Sequence, residues 1–169
     1  MASQANMPDS PFTAGNRRGL RILVVEDNLA YAEEIIGYLR DKGHAVRGAT
    51  TAADMWNRLA EANADILLLD LGLPDEDGSY LIHQVRSRHP EMGMVIVTAR
   101  TRLETRVDSL THGADHYLTK PIKLVELNAI INTLSRRVTQ ADVAQTDAGW
   151  VLYLTKRERN YSPGSLAFR

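Results

Sequence analysis

Two rhythms of apolar residues alternate along this chain. Unbroken runs at Arg21-Ile22-Leu23-Val24-Val25, Ala64-Asp65-Ile66-Leu67-Leu68-Leu69 and Met94-Val95-Ile96-Val97 read as strands buried on both faces; His116-Tyr117-Leu118-Thr119 and the weaker Ala45 to Ala49 read as two more. Between them the spacing lengthens to three and four residues. Leu29, Ala32, Ile35, Ile36 and Leu39 predict a helix capped by Asn28 and stopped at Lys42-Gly43, and Ala52, Met55, Trp56 and Leu59 predict a second, capped by Thr51. Gly78 to His89 predicts a third, with Leu81, Ile82 and Val85 inward, closed at His89-Pro90 because the residue before proline avoids the helical region. Leu103 to His112 gives a fourth, stopped by Gly113, and Lys123 to Arg137 a fifth, apolar at Leu124, Leu127, Ile130, Ile131 and Leu134. Five strands alternating with five helices imply right-handed crossovers and an α/β fold with a doubly wound parallel sheet, covered on both faces.

The residues that end the strand runs carry the chemistry. The first run ends in Glu26-Asp27, the third in Asp70, the fourth in Thr98 and the last in Lys120-Pro121. In a parallel sheet these ends share one edge, where open α/β sheets place their ligands. Glu26, Asp27 and Asp70 crowded together would repel one another, and a hard divalent cation such as Mg²⁺ would relieve that repulsion through oxygen ligands. With such an ion Asp70 can act as a nucleophile toward a phosphoryl group, with Lys120 as a point charge on its oxygens and Thr98 as a hydroxyl donor. Taken singly, each residue is more often a solvated loop acid, a turn hydroxyl or a surface lysine. The order of all four groups at successive strand ends is what favours the site.

Composition narrows the setting. A length of 169 residues fits one domain plus a fragment, and 44% hydrophobic with 24% charged residues is a globular balance. No stretch approaches the length of a membrane span, and residues 1–19 lack the apolar centre of a signal peptide and read as a disordered leader. With no cysteine, disulfides and thiolate metal sites are excluded, and a reducing cytoplasm is the simplest compartment. The formal net charge of -1 says little about partners, so any nucleic-acid contact needs a local basic patch.

Residues 20–137 resemble the receiver domain of two-component response regulators. The resemblance rests on Ile22-Leu23-Val24-Val25-Glu26-Asp27-Asn28, on Leu68-Leu69-Asp70-Leu71-Gly72-Leu73-Pro74-Asp75-Glu76-Asp77-Gly78, on Val97-Thr98-Ala99, and on Gly113-Ala114-Asp115-His116-Tyr117-Leu118-Thr119-Lys120-Pro121. It implies a flavodoxin-like, CheY-like sheet of order 2-1-3-4-5. It implies that Asp70 accepts a phosphoryl group from a sensor histidine kinase, with Mg²⁺ held by Glu26, Asp27, Asp70 and the backbone carbonyl of Gly72. It further implies that Thr98 moves toward the phosphate while Tyr117 turns inward, the two forming a switch pair, and that Gly72 and Arg100 set the phosphate lifetime. Tyr117 by itself reads equally as an aromatic on a half-buried strand face.

Beyond the receiver, residues 138–148 read as a polar linker and 149–169 as a partial β extension around Ser162-Pro163-Gly164. Trp150-Val151-Leu152 and Tyr161 to Leu166 resemble the opening strands of the winged-helix domain of the OmpR/PhoB family, which implies transcription regulation. Leu154 to Arg159 competes as the start of a LuxR/NarL-type helix, interrupted by Asn160 and Pro163-Gly164. Either way DNA is a partner only if a complete C-terminal domain follows; Lys156, Arg157 and Arg159 read first as a solvated charged turn. OmpR/PhoB receivers usually dimerise through opposite charges on the fourth helix, last strand and fifth helix. His116, Ile130 and Asn132 stand at positions that such charges would occupy, which predicts a weakened or more apolar homodimer. Two other classes stay open. A haloacid-dehalogenase-like phosphohydrolase would need a general acid two residues after Asp70, where Gly72 stands, and a single-domain adaptor would act without DNA output.

Overall fold

The computed structural model describes residues 19–137. The order is β1 (Arg21–Val25), α1 (Leu29–Asp41), β2 (Ala45–Ala49), α2 (Ala52–Glu61), β3 (Ile66–Leu69), α3 (Gly78–Arg88), β4 (Gly93–Thr98), α4 (Leu103–Thr111) and β5 (His116–Thr119). A fifth helix, α5, occupies 124–137. Residues 1–18 of the expected leader, the linker and the β extension lie outside the described residues. Every neighbouring strand pair is parallel, and the sheet order is β2-β1-β3-β4-β5, as expected for a doubly wound sheet.

β3 and β4 are buried along their whole length, which is why their sequences are unbroken apolar runs rather than alternating ones. Successive residues of the strands feed two cores. Leu23, Leu67, Leu69, Met94 and Ile96 pack with Met55 and Leu59 of α2 and Leu81, Ile82 and Val85 of α3. Ile22, Val24, Ile66, Leu68 and Val95 pack with Ile35 and Leu39 of α1 and Leu127, Ile131 and Leu134 of α5.

The caps at Asn28 and Thr51 form as the sequence predicts, and a third forms at Asp77. Asn28 accepts from the Tyr31 N–H and Thr51 from the Asp54 N–H, while Asp77 caps α3 through the Ser79 N–H. Gly43 and Gly113 follow α1 and α4 with φ of 89° and 124°, a region that other residues rarely enter.

One expectation about faces needs correction. Leu29, placed on the apolar stripe of α1, is 63% exposed and packs into neither core. Trp56 packs against its core as expected, partly buried, with its ring 4.5 Å under the Arg88 guanidinium. α4 is the loosest element. Arg102 at its start gives no side-chain cap, only Ser109 is buried, and Leu103, Val107 and Leu110 face outward. Among the described residues no helix is long and apolar enough to cross a membrane.

Candidate functional site

The parallel register brings the strand ends level. Val25 pairs with Leu69, Leu69 with Ile96, and Thr98 with Thr119, so the residues that follow share one rim. There Glu26, Asp27 and Asp70 each offer a carboxylate oxygen, all within 4.8 Å of one another. Glu26 and Asp70 are buried at 2% and 6% exposure, and Asp27 is open to solvent.

Such crowding is tolerated because Lys120 reaches in from the end of β5. Its Nζ lies 2.5 Å from Glu26 Oε2 and donates to Asp70 Oδ2 at 2.7 Å. Burial works against the Lys120 charge, yet the two carboxylates outweigh it and hold the ammonium above the usual lysine range. Burial pushes Glu26 above the usual carboxylate range, although Lys120 and the Asn28 N–H both favour its charged form. Asp70 Oδ1 accepts from the Gly72 N–H at 2.9 Å. A Cβ at position 72 would stand 3.5 Å from that oxygen, so glycine leaves the approach to the carboxylate open.

Thr98 ends β4 with its side chain buried, and its Oγ1 accepts from the Arg100 N–H at 3.3 Å. Tyr117 points inward, 8% exposed, and its hydroxyl donates to the Arg100 carbonyl at 2.7 Å. The two residues expected to act as a pair are therefore joined through the backbone of one loop residue, a link that sequence spacing did not reveal. Burial holds the Tyr117 hydroxyl above the usual tyrosine range.

Two further residues support the rim. Tyr31 of α1 places its ring 5.0 Å from Lys120 Nζ, and its hydroxyl accepts from the Ile122 N–H at 3.2 Å, gripping the loop that carries the lysine on both sides. Asp75, on the loop after β3, accepts from the Ala52 and Ala53 N–H groups at 2.9 and 3.0 Å and so caps α2 from a distance. Those two backbone donors hold its carboxyl below the usual range. The only sequence hint for Asp75 was the run of acids in the turn; nothing in the spacing singled out Tyr31.

At the opposite end of the sheet lies a cavity of about 480 Å³ bordered by Arg21, Arg40, His44 and Arg47. Arg21 is engaged by Asp65, Arg40 by the Val46 carbonyl, and Arg47 by Glu61 and the carbonyls of Arg58 and Ala62. It holds none of the carboxylates and is remote from their chemistry.

The donor set at the rim, three carboxylates with no nitrogen or sulfur ligand, suits a hard cation such as Mg²⁺. Clustered carboxylates beside a half-buried lysine ammonium are groups of the kind that can take part in phosphoryl transfer onto an aspartate.

Comparison with known proteins agrees with this geometry. The model of the response regulator receiver domain matches residues 22–132. The virulence transcriptional regulatory protein PhoP of Salmonella typhi is 41% identical over 118 residues, which cover 70% of this chain and 53% of that protein. The transcriptional regulatory protein PhoP of Escherichia coli (strain K12) is 40% identical over the same shares. The chain thus spans about half the length of the curated relatives it matches. Among solved structures, a CheY-like receiver domain from Methanospirillum hungatei JF-1 is 30% identical with a TM-score of 0.67, covering 72% of this chain and 98% of that one. The receiver domain of the Francisella response regulator 1452 is 26% identical, also with a TM-score of 0.67, covering 70% and 98%. By its matched residues, its sheet order and its relatives, this chain belongs to the receiver domains of two-component response regulators.

Proposed function

We propose that Asp70 accepts a phosphoryl group from the phosphohistidine of a sensor histidine kinase. The observation that carries this reading is the buried Asp70 carboxylate held by the Lys120 ammonium and the Gly72 N–H beside two further carboxylates. An Asp70 oxygen attacks phosphorus, the phosphorus–nitrogen bond breaks, and the imidazole leaves with a proton. Lys120 offsets charge on the transferred oxygens, and the Thr98 hydroxyl is placed to exchange its loop contact for one of them. Mg²⁺, held by Glu26, Asp27, Asp70 and the Gly72 carbonyl, would supply charge neutralisation at the phosphoryl oxygens. Because Arg100 joins Thr98 to Tyr117, moving the threonine perturbs the ring and the neighbouring α4.

Gly72 offers no general acid, which favours a held phosphate with slow self-dephosphorylation over a phosphohydrolase cycle. The PhoP relatives are named as transcriptional regulators, and their similarity supports the same output here, with DNA contact residing in a C-terminal domain. The test is treatment with a small-molecule phosphodonor and Mg²⁺, followed by intact mass measurement. One phosphate is expected on the wild type and none on Asp70→Asn; equal labelling of both refutes the assignment, and sustained turnover of a phosphate ester favours the hydrolase.

A homodimer through α4, β5 and α5 is the partner reading the surface favours. Leu103, Val107 and Leu110 are 69%, 53% and 39% exposed on one stripe of α4, and Val125 on α5 is 75% exposed. With His116, Ile130 and Asn132 in place of charges, the contact is expected to be apolar. Light scattering with a phosphate mimic should give a dimer that persists at high salt and is lost in Leu103→Asp. A tight dimer that salt dissolves would overturn this.

A further inference from the structure

His83 of α3 and His112 at the end of α4 meet outside the crevice, with ring centroids 4.2 Å apart and planes tilted by 53°. That contact sets two imidazoles side by side on neighbouring helices. The rings do not meet through loose side chains alone. Arg86, one turn along α3 from His83, donates to the carbonyl of Gly113, the residue after His112, at 3.0 Å from Nε and 2.6 Å from Nη2. That clamp fixes the backbone on which both rings stand.

The protonation pattern is specific too. His112 Nδ1 lies 2.8 Å from the Asp108 carbonyl and 2.9 Å from its Oδ1, so the neutral ring carries its proton there and keeps a lone pair on Nε2. Among the described residues neither His112 Nε2 nor either nitrogen of His83 has a hydrogen-bond partner. A histidine whose second nitrogen is held by a carboxylate or carbonyl is the usual form of a metal ligand, since that contact fixes the ring and raises its basicity.

We propose that His83 and His112 form a binding site for a divalent transition-metal ion, Zn²⁺ or Cu²⁺, with Asp108 orienting the second ligand and water completing the shell. Imidazole nitrogen selects these ions over Mg²⁺, so the site is chemically separate from the carboxylate rim. The nearby Arg86 charge is engaged by Asp115 at 3.1 Å and by the carbonyls of Pro90, Met92 and Gly113. An ion held here would tie α3 to α4, the helix with the fewest buried residues.

The experiment uses the untagged full chain in saturating Mg²⁺. Zn²⁺ titration by calorimetry is expected to show one equivalent, and Cu²⁺ electron paramagnetic resonance to show two nitrogen ligands. Both His83→Gln and His112→Gln should weaken Zn²⁺ at least tenfold and remove the Zn²⁺-dependent rise in melting temperature. Both rings lie at the surface, so these variants retain the fold, which circular dichroism checks. No Zn²⁺ binding by the wild type, or unchanged affinity in either variant, would overturn the proposal.

Discussion

Replacing Lys120 with methionine keeps the aliphatic stem over Tyr31 but removes the cation between Glu26 and Asp70. At 2.7 Å and an effective dielectric near 20, one such contact is worth about 6 kcal/mol before desolvation, so its loss is large in gross terms. Two effects cap it. The wild-type lysine already bears a desolvation cost, and the variant can take up a proton on one carboxyl, which at neutral pH costs about 3.5 kcal/mol for a group of ordinary pKa. A net loss of about 2–3 kcal/mol follows, roughly 10 °C in melting temperature for a domain of this size. Mg²⁺ neutralises the same carboxylates. Urea unfolding followed by circular dichroism should therefore show the loss in chelator, and recovery to within about 1 kcal/mol of the wild type in millimolar Mg²⁺. A Lys120→Met protein as stable as wild type in chelator would refute the electrostatic account of the rim. So would a loss that Mg²⁺ leaves untouched.

Other perturbations have defined outcomes. Tyr31→Phe forfeits one hydrogen bond, about 1 kcal/mol, and should slow phosphorylation by a small-molecule donor about fivefold, while Tyr31→Leu also loses the ring beneath Lys120 and should slow it more; a wild-type rate for Tyr31→Leu would remove the tyrosine from any positioning role. Burial lowers the His44 pKa, and its Nδ1 accepts from the Leu20 N–H, so folding favours the neutral ring. Its contribution is complete above the ordinary histidine pKa and is lost as pH falls from there through the depressed folded value, at most about 1 kcal/mol. Urea midpoints across that range should fall less in His44→Gln than in the wild type, and parallel pH profiles would contradict this.

The strand ends were legible in the sequence because a parallel sheet turns a local fact, which residue follows an apolar run, into a spatial one. Glu26, Asp70 and Lys120 needed no knowledge of side-chain direction beyond that. Residues whose partners are remote were not legible. Tyr31 meets Ile122 across 91 positions, Asp75 meets Ala52 across 23, and Arg86 meets Gly113 across 27, and no periodicity encodes such pairings. Faces failed for a related reason. The stripe containing Leu29 has the right spacing, but spacing cannot say where along a helix the neighbouring layer stops. In α4 the apolar residues were visible and their outward direction was not, because helical period fixes a face and not what lies against it.

The distant cap by Asp75 gives the molecule a stiff side and a yielding side. The loop that carries Asp70 and Gly72 is fastened to the start of α2 by two hydrogen bonds from the Ala52 and Ala53 N–H groups to the Asp75 carboxylate, so lifting it costs that helix its cap. Across the crevice, α4 begins without a side-chain cap and buries a single serine. Local opening takes the route of least cost, so amides of α4 should exchange with solvent well before those of α2. A displacement that starts at the shared rim would then travel in one direction, as a door moves on the side away from its hinge.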